Sequence, residues 1–168
     1  MTPRRSIYLA TILFIVGLIG YAIYIEKTEY LIPCSLCLTQ RFFYGFVTIG
    51  AVLGLFVIRS RGWQMLSAAI YTIGAIGGVA TAGRQVWLQH LPPEDVPECG
   101  LGIMYWLENE PFLNTVKLLF QGDGNCAEVD WTFLGFSMAE WSLLFFVTML
   151  IIGLILLIKR PYIGHNQA

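Results

Sequence analysis

The sequence predicts an all-α integral membrane four-helix bundle forming a single domain over residues 1–168, and three observations lead there. Of the 168 residues 57% are hydrophobic and 12% charged, against about 25% charged in an ordinary soluble domain. Four apolar runs, at about 7–25, 42–58, 63–82 and 138–158, approach the ~20 residues that cross a ~30 Å hydrocarbon core. Inside the runs small residues recur at helix-packing spacing, Gly50 with Gly54 and Gly74 with Gly78, which lets helices approach closely in lipid. A water-soluble core built from the same runs needs polar helices to cover it, and the sequence supplies none.

The first run follows Arg4 and Arg5 and is read as an uncleaved span: it exceeds a signal peptide's apolar stretch and lacks a small-residue exit. The second run is the shortest and is expected to borrow Leu38 and Thr39 or to thin the bilayer locally. Arg59 and Arg61 separate it from the third, and Lys159 and Arg160 follow the fourth. Because basic residues stay on the cytoplasmic side, both termini and the 59–61 connection are predicted to be cytoplasmic. All eleven acidic residues, from Glu26 to Glu140, then fall on the other side.

Two outer loops result, at about 26–41 and 83–137. The second is acidic, with eight carboxylates against Lys117 between His90 and Ser137. After Pro111, residues Phe112, Leu113, Val116, Leu119 and Phe120 follow helical spacing and predict a short amphipathic helix, suited to lying on a membrane surface. WTFLGF, residues 131–136, supplies aromatics where the chain re-enters the bilayer.

Cys34 and Cys37 lie in the first outer loop and Cys99 and Cys126 in the second, so all four thiols are predicted to face the compartment where disulfides persist. Four cysteines allow three pairings, and spacing does not choose among them. Pro33 suits the first turn of a helix, which puts Cys34 and Cys37 at its start, where free N–H groups and the helix dipole favour thiolate. Arg41, four residues after Cys37, falls on the same helix face and adds a permanent cation. A dithiol at the membrane surface can pass two electrons to a lipid-soluble acceptor, and the acceptor that fits is a quinone; Arg41 then offers a hydrogen bond to its oxygen. Pro92, Pro93 and Pro97 precede Cys99 and QGDGN precedes Cys126, so both are expected to be flexible and accessible. A disulfide relay between the two pairs, two structural staples, and a four-thiolate zinc site are the alternatives, the last lacking the close ligand spacing of such sites. Arg84, near the outer end of the third run, is read either as a snorkelling cation or as a contact for quinone or phospholipid, and His90 as a surface histidine.

Four spans, PCSLCLTQR ahead of the second, and a second cysteine pair followed by CAEVDWTFLGFSMAEW together resemble the disulfide bond formation protein B (DsbB) family of the bacterial inner membrane. The resemblance covers nearly the whole chain. It implies a multi-pass thiol:quinone oxidoreductase with its active loops in the periplasm. Such an enzyme reoxidises a periplasmic DsbA-like thiol oxidase and passes the electrons to ubiquinone or menaquinone. By position, Cys99 would form the mixed disulfide with that partner, Cys126 would be its pair, and Cys34 would exchange with Cys126. Cys37 would be the thiolate in charge-transfer contact with quinone beside Arg41, and Trp131 matches a tryptophan of that region. Partners outside this set, nucleic acid included, are not implied. A non-enzymatic scaffold braced by disulfides, and a paralogue serving a different thiol partner, remain alternatives.

Overall fold

The computed structural model describes residues 3–30, 33–56, 60–100, 103–129 and 131–158. Arg59, Lys159 and Arg160, which carry part of the orientation argument, lie outside the described residues. Four helices are long and apolar enough to cross a membrane: α1 (Pro3–Thr28), α2 (Ser35–Phe56), α3 (Arg61–Gln89) and, at the end of the chain, a helix over Met138–Ile158. Two short helices, α4 (Ile103–Asn109) and α5 (Phe112–Gln121), lie between the third and the last, which is therefore α6. A two-residue pair of strands, β1 (Thr132–Phe133) and β2 (Phe136–Ser137), leads into α6.

Three helices extend beyond the apolar runs, α1 by about a turn at each end. The second starts at Ser35 rather than near Phe42, and the third continues through Arg84 and Gln85 to Gln89 instead of ending at Ala82. The extra turns of α3 keep one face buried. Ala82, Gln85 and Leu88, spaced by three, are all buried. No proline interrupts the chain until Pro92, so nothing stops the backbone where the apolar composition stops.

Packing follows the small residues. The most extensive interfaces are α2 with α3 and α3 with α6, with α1 laid against α2. A Cβ on Gly50 would come 2.6 Å from the Tyr71 nitrogen, and one on Gly74 would come 2.8 Å from the Val47 nitrogen, so α2 and α3 touch backbone to backbone. Gly78 accommodates the Phe146 ring of α6, and Phe146 stacks on Tyr44 of α2 with ring centroids 4.0 Å apart. Tyr71 is fully buried at the centre; its hydroxyl shares a 3.3 Å hydrogen bond with Thr11 and its ring meets Tyr8 edge-on. Apolar side chains such as Leu13, Val16, Phe56 and Ile73 point outward, as a bundle solvated by lipid requires.

Local chemistry sets the entry to α6. Leu134 and Gly135 both have positive φ, 54° and 83°, the backbone of a two-residue hairpin turn, and Phe133 pairs with Phe136 across it. Ser137 then caps α6 reciprocally: its hydroxyl accepts from the Glu140 N–H at 3.2 Å while its own N–H donates to the Glu140 carboxylate at 2.7 Å. The α5 helix matches the stretch expected after Pro111, with Phe112 and Leu113 exposed and Thr115 buried against the Trp106 carbonyl of α4. The sequence reading did not anticipate α4.

Candidate functional site

Cys34 and Cys37 sit at the head of α2. Cys34 accepts the first helical hydrogen bond, from the Leu38 N–H at 3.2 Å, so it occupies the cap and Cys37 the first turn. Pro33 precedes the cap rather than opening the helix. The two sulfurs are 3.3 Å apart.

Cys126 meets them from the second loop. It was expected to be accessible in a flexible segment; it is instead fully buried, packed with Leu36 of α2 and Leu88 of α3, and Cys34 lies against the same cluster. Glycines account for the difference. Gly122, at φ 73°, presses against the Leu36 and Leu88 side chains, a conformation that a side chain would strain and a space that its Cβ would fill. The turn continues through Gly124 into a short 3₁₀ segment, Gly124–Cys126. The 122–126 stretch is therefore a fitted plug over the ends of α2 and α3.

Cys99 is exposed, yet its segment is tied to the plug: the Gly124 N–H donates to the Glu98 carbonyl at 3.1 Å, and a Cβ on Gly124 would meet the Cys99 sulfur at 3.3 Å. The structure thus brings all four cysteines to one end of the bundle, Cys99 outermost and Cys34 between Cys37 and Cys126.

The electrostatics at Cys34 and Cys126 are opposite in sense. The hydrogen bond between Cys34 and Cys126 is the largest influence on both. It holds the Cys34 proton in place and raises that thiol above its ordinary range, helped by the contact with Cys37 and by burial. The same bond lowers Cys126, against the opposing effect of burial, and the Ser35 hydroxyl 3.4 Å away assists. Cys126 is the better placed of the two to act as a thiolate nucleophile.

A cavity of ≈ 240 Å³ opens on the other side of Cys37. Apolar and aromatic side chains make most of its wall, among them Leu18, Tyr21, Trp131 and Phe145; Cys37, Gln40, Arg41 and Gln85 line it too. Arg41 is where the helical spacing put it, on the same side of α2 as Cys37, but the Glu26 carboxylate of α1 pairs with it. Glu26 was missed because its partner lies on another helix, which no spacing within one segment reveals. A smaller, more polar cavity adjoins the first; Cys37, Gln85, Trp131 and Met138 line both, and Glu26 and Glu128 line the polar one. Gln85 is the second residue the sequence did not disclose: its Nε2 donates to the Cys34 and Cys37 sulfurs at 3.5 and 3.3 Å. Arg84, one position before it, donates to the Gln121 carbonyl at 3.1 Å and lies over the Trp87 ring. The His90 ring bonds back to the Val86 carbonyl at 2.8 Å, away from the cysteines' contacts.

The profile of one protein family, described as disulfide bond formation protein DsbB, matches residues 4–156. Relatives named disulfide bond formation protein B agree over nearly their whole length. The one from Azoarcus sp. is 37% identical over 158 residues, covering 94% of each chain. The one from Methylococcus capsulatus is 39% identical over 156 residues, covering 88% of this chain and 90% of the relative. The one from Marinobacter nauticus is 40% identical over 158 residues, covering 93% of each. With four membrane-length helices and four cysteines gathered at one end, the chain belongs to the DsbB family of multi-pass membrane thiol oxidases, enzymes that generate disulfide bonds.

Proposed function

We propose that this chain is a thiol:quinone oxidoreductase of the bacterial inner membrane, with its cysteine-bearing end in the periplasm, that reoxidises a DsbA-like dithiol oxidase. One observation carries the reading: Cys37 touches Cys34 on one side and walls an apolar cavity on the other, so the thiol chain ends at a site suited to a lipid-soluble ring. The wall fits such a group. Aromatic and aliphatic side chains suit a quinone ring, and the Arg41 guanidinium and Gln85 amide offer hydrogen bonds at the edge nearest Cys37. A bound quinone supplies a two-electron, two-proton oxidant, so that a protein dithiol and a quinone become a protein disulfide and a quinol.

The chain's own residues do the rest. The partner's thiolate attacks Cys99, the exposed member of a Cys99–Cys126 disulfide, and Cys126 leaves as thiolate. Cys126 then attacks Cys34 of a Cys34–Cys37 disulfide, to which it is already adjacent, and Cys37 leaves as thiolate. The partner's second thiol resolves its mixed disulfide and frees Cys99, which attacks Cys126 and releases Cys34. The first loop's pair is then a dithiol, two electrons richer, beside the cavity. Arg41 holds a cation at the cavity edge where negative charge develops on the acceptor, and Glu26 fixes its position. The test is an anaerobic mixture of purified protein, reduced DsbA-like partner and a ubiquinone analogue, followed by quinone absorbance. Quinone loss in proportion to partner oxidation supports the proposal; oxidised partner with unchanged quinone refutes it.

Two expected results arise here. Arg41→Gln lowers kcat for quinone reduction by about 10²-fold, the usual scale for losing one preorganised donor, while exchange between Cys99 and the partner stays intact in a stopped-flow assay. The second concerns pH. Because its partner Cys34 depresses Cys126, Cys126 of the reduced enzyme alkylates with a midpoint below the ~8.5 of a free cysteine. Cys34→Ala removes the largest cause and moves that midpoint upward, so at a fixed pH below it alkylation of Cys126 slows.

A further inference from the structure

Gln85 and Gln40 form a buried amide pair at the junction of the two cavities, each only 4% exposed. The Gln40 Nε2 donates to the Gln85 Oε1 at 2.7 Å, across the α2–α3 interface. That bond sets the sense of the Gln85 amide and puts its Nε2 nearer the sulfurs than its Oε1. With Oε1 accepting from Gln40, Nε2 donates toward the sulfur pair, 3.5 Å from Cys34 and 3.3 Å from Cys37, while the Cys37 thiol lies farther, 3.7 Å, from Oε1. Reversed, the amide would put its oxygen in the nearer position, against both sulfurs, where a thiolate would repel it. A buried amide with a full set of partners is also held in one rotamer, so its donors are in place before charge appears.

We propose that Gln85 stabilises the thiolate form of Cys37 by direct hydrogen bonding, and that Gln40 is the positioning residue that keeps the Gln85 donors turned toward the sulfur pair. In the relay proposed above, on which the role rests, Cys37 leaves as a thiolate when Cys126 attacks Cys34. The Cys34–Cys37 bond breaks, the Cys34–Cys126 bond forms, and the electron pair of the broken bond stays on Cys37. An N–H donor already at that sulfur lowers the energy of the leaving anion without moving. Gln85 is neutral, so unlike a lysine it does so without placing a second cation beside Arg41. The other charged or titratable groups around Cys37 are Arg41 and Tyr44 on its own helix, Glu26 and Tyr21 of α1, Cys34 at the cap, and Glu128 of the second loop, which shares the polar cavity; α3 contributes only the neutral amides Gln85 and Gln89.

The test uses full-length protein in which Cys37 is the only thiol left, carrying Cys34→Ser, Cys99→Ser and Cys126→Ser, and follows iodoacetamide alkylation against pH without quinone. A hydrogen bond to a charged group is strong enough that Gln85→Leu is expected to raise the alkylation midpoint by about one to two pH units, roughly tenfold or more less thiolate at a fixed pH below it. Gln85→Glu, which replaces the donors by a carboxylate, raises it at least as far, and Gln40→Leu raises it by less. Gln85→Met keeps the volume without the donors and serves if Gln85→Leu does not accumulate. A midpoint that neither Gln85→Leu nor Gln85→Met moves overturns the inference. The relay reading fails separately, by retention of quinone reduction in an otherwise native Cys37→Ser enzyme.

Discussion

Cys37→Ser is expected to abolish quinone reduction, lowering turnover by at least about 10³-fold, while the first contact with the thiol partner survives. The reason is positional. Cys99 is the exposed cysteine and Cys126 contacts Cys34, so a partner thiolate still finds Cys99, and Cys126 still reaches Cys34. What disappears is the sulfur at the cavity wall, and with it the Cys34–Cys37 disulfide that must both receive the partner's electrons and discharge them. Removing one member of a set that acts as a unit costs nearly the whole rate. The measurements are steady-state quinone absorbance and gel-shift trapping of a partner adduct at Cys99. A non-enzymatic four-span scaffold would reduce no quinone even as the native protein and would lose stability at most; retained turnover in Cys37→Ser would contradict the role given to Cys37.

Gly50→Leu is the second large effect, and it acts on the frame that holds those sulfurs. Even a Cβ at Gly50 would lie 2.6 Å from the Tyr71 nitrogen, 2.8 Å from its Cα and 2.9 Å from the Ser67 carbonyl oxygen. These are backbone atoms of α3, which cannot turn aside as a side-chain tip can, so α2 and α3 must part. Overpacking of this kind costs about 1–3 kcal/mol or more, and in lipid close packing is itself a main source of helix association. Thermal unfolding in detergent should fall by several degrees. Activity should fall with it, because Cys37 and Gln40 ride on α2 and Gln85 on α3. Gly17→Leu on α1 is the control: a Cβ there meets nothing within 4 Å, so unfolding and turnover should be unchanged.

Where a signal was local, the sequence disclosed it. Apolar length marks the four long helices, the paired glycines mark close helix contacts (Gly50 and Gly74 between α2 and α3, Gly54 at Tyr8 of α1, Gly78 at Phe146 of α6), and Arg41 falls on the face of Cys37 because both lie on one helix. The SMAE stretch at the start of α6 has the spacing of a capping box, a local signal that lies in the sequence next to the aromatics of 131–136. The misreadings share a cause. Apolar composition tracks lipid contact rather than helix length, so α3 was expected to stop at Ala82, and Gln85, the residue that touches both sulfurs, was placed in a loop. QGDGN has the composition of a mobile loop, yet its glycines serve close approach, burying Cys126 against Leu36 and Leu88. Glu26 and Gln40 became visible only when α1, α2 and α3 were side by side.

The central claim is that the Cys34–Cys37 pair, and no other, discharges electrons into a membrane-dissolved acceptor. A single-turnover reaction tests it most directly: enzyme reduced at all four cysteines is mixed without oxygen with one equivalent of a ubiquinone analogue, quenched with alkylating agent at successive times, and mapped for disulfides by mass spectrometry. The expected result is one quinone consumed for each two thiols lost, with the Cys34–Cys37 disulfide appearing at the rate of quinone absorbance decay and before any disulfide containing Cys99. A disulfide at Cys99 forming first, or thiols persisting while quinone is consumed, would contradict it.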